Sequence, residues 1–234
     1  FLAGPGNQSH LMGRIASLCY ARFVKNGTPL ALVSTDNCSH NGDKLKAGVM
    51  AYVDAWKQAG KVDDDFVSYM EEKVSFPWSM IDKITPRPDE KVKEMLEKDG
   101  FEDTDLIITS RNTYTAPFVN SEETGYLVIE DNFPNGRPPL EKAGIVFTDR
   151  ETVDKVEKMK VCTCLNPLHT ALAIYGCMLG HTSIHDEMED KELSQLIQKM
   201  CYEEAMSVVV NPGVIDPKEF ANAVLTKRLP NPFM

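Results

Sequence analysis

Residues 29–33 read PLALV, an unbroken apolar run bounded by polar turn residues, and this run constrains the fold most. A short run of this kind predicts a strand buried on both faces, as in a parallel α/β sheet with helical crossovers. The flanks agree. Leu11, Ile15, Leu18 and Cys19 recur at helical spacing and predict a helix over 8–25 that closes at Asn26-Gly27. The polar stretch STDNCSHNGD follows the strand, and helices are predicted over 43–59, closed by Gly60, and over 63–72 with an acidic first turn. Ile81, Ile84 and Thr85 lean towards extended chain before Pro86. Residues 88–98 read as a charged surface helix with Gly100 after its end. Further strands are predicted over 105–109, 126–130 and 144–147.

After Thr148 the pattern changes. Helices are predicted over 152–160, 167–179, 190–209 and 216–225, with no strand among them. The expected fold class is therefore α/β followed by all-α, with residues 1–155 and 156–234 as the two parts. Lys plus Arg number 25 against 35 Asp plus Glu, a formal charge of −10, which leaves no electrostatic footprint for nucleic acid or anionic lipid. The longest apolar candidate, 170–179, is about half of the ~20 residues that a membrane span needs. The opening FLAGPGNQSH has no basic n-region and no long apolar run. Six cysteines without a secretion signal read as reduced thiols, so the expected location is cytoplasmic.

Three places concentrate polar groups that packing does not ask for. The first is 34–43, after the strand, where Asn37 offers a carboxamide and His40, Asn41 and Gly42 shape the loop; the same residues also make ordinary turns. The second is 125–139, where Glu130, Asp131, Asn132 and Arg137 suit either a polyhydroxylated substrate or a salt-bridged turn. The third is 157–176, where Lys160, Asn166 and His169 stand beside very apolar sequence. A desolvated lysine serves as a general base, and Asn and His supply donors to an alcohol oxygen, although a lone His on an apolar helix is more often a satisfied core residue. His181, His185 and Asp186 have a ligand-like spacing, but Gly180 and Thr182-Ser183 mark a helix junction, and no metal is expected.

Five motifs then occur in order: PLALVSTDNCSHNGDKL, SFPWSMIDKITP, VIEDNFPNGRPPLEKAGIVF, EKMKVCTCLNPLHTAL and KRLPNP. On these, residues 29–234 resemble the long-chain mannitol dehydrogenase family, which includes mannitol 2-dehydrogenase, fructuronate reductase and tagaturonate reductase. The resemblance implies the C-terminal part of a Rossmann-type sheet domain followed by part of a helical substrate domain. It also implies metal-free interconversion of a sugar alcohol or aldonate with its ketose or keto-uronate, dependent on NAD or NADP. Lys160 looks like the acid/base, Asn37 and Asn166 like donors to the reacting oxygen, and His169 like a substrate-orienting partner. Asp82 resembles a substrate contact, and Glu157 looks like the carboxylate that neighbours the lysine. Arg137 is a further substrate-side candidate, and DNFPNGRP looks closer to the uronate-reducing branch. The expected partner is a small sugar alcohol, ketose or uronate. The alternative is a non-catalytic substrate-binding or interaction module that retains half of the fold.

The sequence departs from the family pattern in three respects. It holds no G-x-G-x-x-G, so the cofactor site is expected to be incomplete and the chain alone to be inactive. The family's Asn stands five residues after the Lys, whereas Asn166 is six after Lys160, and in a regular helix Lys160 and His169 fall ~180° apart. Because Pro167 breaks a continuous helix, 161–166 is expected to be non-helical or π-bulged, with Asn166 capping a new helix. The resemblance places a pocket arginine beyond residue 234.

Overall fold

The computed structural model describes residues 3–6, 8–122 and 125–232. They form two compact units, each from two stretches of chain: 1–81 with 127–157, and 82–126 with 158–234.

The first unit begins with α1 (Leu11–Lys25), which leads to β1 (Leu30–Ala31) and then to α2 (Asn41–Gln58) and α3 (Asp64–Glu72). His10 caps α1 by accepting the Met12 N–H, and Asp63 caps α3 by accepting the Phe66 N–H. Their apolar faces meet in a core of Ala16, Cys19, Val49, Val53, Trp56, Phe66 and Met70. Burial pushes the Cys19 thiol up to about 11, so it behaves as a small apolar residue.

β1 pairs in parallel with β2 (Val74–Ser75), Leu30 opposite Val74. Only Leu30–Ala31 of the apolar run is strand, and it is half-buried, which corrects the expectation of burial on both faces. Among the described residues β1 has one neighbouring strand. A three-stranded sheet has the order β3 (Ser79–Asp82), β6 (Tyr126–Glu130), β7 (Val146–Thr148), with β6 and β7 parallel and Val128 opposite Val146. Gly42, at the start of α2, lies against 76–78. A Cβ there would meet the Phe76 carbonyl, and the Pro77 carbonyl oxygen at 2.8 Å.

The second unit contains α4 (Glu90–Lys98), capped by Asp89, and a hairpin of β4 (Ile107–Ile108) and β5 (Tyr114–Thr115). The expected strand over 105–109 shrinks to two exposed residues, because its one partner is the equally exposed β5, which the sequence pattern does not announce. The helices follow. α5 (Arg150–Lys158), which belongs to the first unit up to Glu157, runs into a π-helical turn of the second, Met159–Cys164, and α6 (Asn166–Leu179) continues from it. Beyond lie α7 (Ile184–Glu189), α8 (Lys191–Lys199), α9 (Met206–Val208) and α10 (Pro217–Ala223). The single helix expected over 190–209 is interrupted by a π turn at Met200–Ala205, and another π turn, Val224–Arg228, follows α10. Met159, Leu168, Leu172, Ile197, Cys201, Ala221 and Val224 form the core of this unit.

The helical run 150–179 is long and apolar enough, by length and composition, to cross a membrane, which revises the estimate based on 170–179 alone. It also gives Met159, Leu168 and Leu172 to a protein core and carries Lys160 in a buried ion pair.

Candidate active site

The π turn decides where Lys160 points. Pro167 has no N–H for the Thr163 carbonyl, and the register slips so that the Leu165 N–H bonds the Lys160 carbonyl at 3.0 Å, an i to i+5 bond. One residue is thereby absorbed. The nine positions from Lys160 to His169 count as eight, ~800° or ~80° apart instead of ~180°. The expected π-bulge is present, but Asn166 is the first helical residue, and Leu165, with φ −128° and ψ −65°, takes the capping position without a side-chain bond.

Lys160, 6% exposed, places Nζ 2.9 Å from Asp82 Oδ1, and Asp82 is fully buried at the end of β3. Arg228, on the π turn after α10, grips the same carboxylate from the other side, with Nη1 to Oδ2 at 2.6 Å and Nη2 to Oδ1 at 3.0 Å. Nη2 also reaches Glu122 Oε1 at 2.8 Å. Burial pulls the Arg228 guanidinium down, but its bonds and charge contacts with Asp82 and Glu122 outweigh that and hold it above its ordinary value. The Tyr126 hydroxyl is buried beside this group without a hydrogen-bond partner. Burial, with the Asp82 charge adding and Arg228 opposing, pushes Tyr126 up, so the phenol keeps its proton.

Arg228 also lines a cleft of about 370 Å³ with Asn166, His169, Thr170, Ile84, Leu165, Ile184 and Leu229. An apolar cleft with a few convergent polar groups and a charged wall is the form small-molecule sites take. Neither Arg228 nor Glu122 was among the sequence candidates. KRLPNP contained the arginine, and no motif pointed to the glutamate.

The other predicted residues belong to the first unit. Asn37 is exposed in the loop after β1. Glu157 accepts the Ser39 hydroxyl, while Asp154, one turn earlier, is 3.2 Å from His40 Nε2. Arg137 is committed elsewhere: it bonds both Asp131 oxygens at 2.8 and 3.1 Å and Glu141 at 2.6 Å, and lies 3.5 Å over the Phe147 ring. Its hydrogen bond to Arg137 holds Asp131 below its ordinary value.

Glu187 is a buried carboxylate on α7, packed over Gly176, and its Oε2 has no partner. Desolvation raises its pKa, with His181 and His169 opposing and Asp186 adding. A carboxyl raised by folding subtracts stability as pH climbs from its unfolded value, ~4.3, through the raised folded value. Glu187→Gln is therefore expected to melt higher than wild type at pH 7 and to match it near pH 4. Calorimetry at the two pH values checks this, and a lower melting temperature at pH 7 would show that the charge is needed. Ligand atoms of His185, Asp186 and Glu189 lie within 4.8 Å of one another at the surface, with His185 Nδ1 2.7 Å from the Pro230 carbonyl, and we assign no metal there.

Comparison with known proteins places these residues in context. Residues 2–142 match the Mannitol dehydrogenase Rossmann domain family and residues 152–234 match the Mannitol dehydrogenase C-terminal domain family. A D-mannonate oxidoreductase of Thermotoga maritima is 53% identical over 233 residues, covering 99% of this chain and 43% of that protein. A mannitol dehydrogenase of Saccharomyces cerevisiae is 30% identical over 229 residues, 97% of this chain and 41% of its own. Among solved structures, a substrate-free D-sorbitol dehydrogenase superposes with a TM-score of 0.79 at 25% identity, covering 97% of this chain and 43% of that one. Pseudomonas fluorescens mannitol 2-dehydrogenase, in ternary complex with NAD and D-mannitol, gives 0.74 at 25% identity, covering 98% and 42%. The chain thus spans about two fifths of the length of these relatives.

Proposed function

This chain belongs to the mannitol dehydrogenase family, and from that premise we propose that it carries the substrate side of an NAD(P)-dependent oxidoreductase acting on an open-chain sugar acid. The observation that carries the proposal is the buried Lys160–Asp82–Arg228 group, whose arginine forms the wall of a cleft shared with Asn166 and His169. The high identity to a D-mannonate oxidoreductase favours an aldonate and its keto-uronate over a neutral polyol.

The nicotinamide, when bound, supplies or accepts the hydride. The sequence contains no glycine-rich turn for its pyrophosphate, so no residue of this chain is assigned to it. Lys160 has the chemistry of a proton carrier. As an ammonium paired with Asp82 it gives a proton to the carbonyl oxygen in reduction, and as an amine it removes the hydroxyl proton in oxidation. Asn166 and His169 donate to the same oxygen and fix its position. Arg228 holds the Asp82 carboxylate in register through two hydrogen bonds and offers a cationic wall to an anionic substrate. The roles that the resemblance gives to Asn37, as a further donor, and to Glu157, as a proton relay, form part of the same reading. So do a cytoplasmic location and a division near residue 155.

The test is to express the full reading frame that carries these residues and to assay polyols, ketoses and keto-uronates with both nicotinamide cofactors. We expect turnover with a keto-uronate, and none from the 234-residue chain alone. Silence across the whole panel, or turnover by the short chain, would overturn the respective claim.

A further inference from the structure

Glu122 takes no part in the proton transfer just described, yet it is built into the same buried group. It is 5% exposed, and its Oε1 accepts the Ile84 N–H at 2.7 Å as well as the Arg228 Nη2 bond. Its own N–H returns to the Ile84 carbonyl at 3.2 Å, which fixes the segment. Its second oxygen is buried without a hydrogen-bond partner. A tie to Ile84 needs only a neutral acceptor, whereas a buried carboxylate with a bare oxygen costs desolvation. Packing alone gives no reason for a charge here. The electrostatic count does. Among the described ion pairs, Lys160 and Arg228 face Asp82 and Glu122, two cations against two anions, and removing Glu122 takes one negative charge from the group.

We propose that Glu122 is a positioning residue for the proton carrier: by balancing Arg228, it leaves enough of the Asp82 charge for Lys160 to hold its proton until the substrate oxygen takes it. The proton moves between Nζ and the substrate oxygen, and Glu122 exchanges none. Among the described residues, the Tyr126 phenol also stands against this cluster and stays neutral, with the Cys164 thiol beside it. The inference rests on the lysine reading above.

The experiment compares pH profiles of turnover in both directions for wild type, Glu122→Gln, Glu122→Asp and Lys160→Ala in the full reading frame. Glu122→Gln keeps a carbonyl for Ile84 and Arg228 but removes the charge. Its profile is expected to move about one pH unit lower in both directions, because the loss of a negative charge from the group disfavours the ammonium. KM is expected to stay within about twofold. Glu122→Asp, which restores the charge, is expected to return the midpoint towards wild type whatever it does to stability. If Glu122→Gln does not accumulate, the Glu122→Asn and Glu122→Asp pair makes the same comparison at a shorter length. Charged and neutral variants with the same midpoint would overturn this inference and leave the lysine reading standing. Turnover that survives Lys160→Ala would overturn both.

Discussion

Asp82→Ala is expected to destabilise the protein by about 3–5 kcal/mol, because it leaves two buried cations with Glu122 as the one carboxylate of the group. Lys160 and Arg228 both bond Asp82, and their side chains are 7% and 1% exposed, so water cannot take over. Glu122 compensates only Arg228, through one nitrogen. Urea unfolding of the 234-residue chain measures this directly. A loss of that size corresponds to a fall in melting temperature of ~6–20 °C for a chain of this length. Asp82→Asn, which keeps the shape and loses the charge, is expected to cost nearly as much. A loss below about 1 kcal/mol, the range of exposed pairs, would mean that the cations are hydrated and the group is not a buried network.

The second large effect falls on turnover. Lys160→Ala in the full reading frame is expected to lower kcat by about 10²–10⁴-fold, the usual contribution of a positioned acid or base. KM is expected to change little, because the cleft residues Asn166, His169 and Arg228 remain. Asp82 then keeps its bidentate partner, so the variant is expected to fold, which separates the chemical effect from the structural one. A rise in KM with unchanged kcat would reassign Lys160 to substrate binding.

The two effects arise from parts of the site that differ in how far the sequence reveals them. Lys160, Asn166 and His169 lie within one short stretch, and the misfit of their spacing to a regular helix, together with Pro167, predicts a non-helical stretch or a π-bulge, of which the structure contains the second. The capping residue was misplaced by one, because π register moved the helix start and left Leu165 in the position predicted for Asn166. Asp82 was found through a motif. Its partner Arg228 lies 146 residues further along the chain, and Glu122 lies 106 residues before Arg228. An ion pair closed over such a separation leaves no periodicity to read. Arg137 illustrates the converse. Its neighbourhood, DNFPNGRPP, allowed either a substrate contact or a salt-bridged turn, and Asp131, Glu141 and Phe147 now engage the guanidinium. In the fold, helices with capping residues were legible because their signals are local. The strand over 126–130 has the predicted bounds, whereas β1 and β4 proved shorter than the apolar runs that announced them, because pairing between distant segments, not local preference, sets their ends.

The account depends on the Lys160 amine moving the proton while the cleft binds the substrate, and single-turnover kinetics separate these two steps. The measurement is loss of reduced-nicotinamide absorbance after mixing with a keto-uronate, for wild type and Lys160→Ala, with substrate affinity determined in parallel by titration calorimetry. The account predicts equal affinities and a rate lowered at least ~100-fold in the variant. Equal rates with a weakened affinity would contradict it.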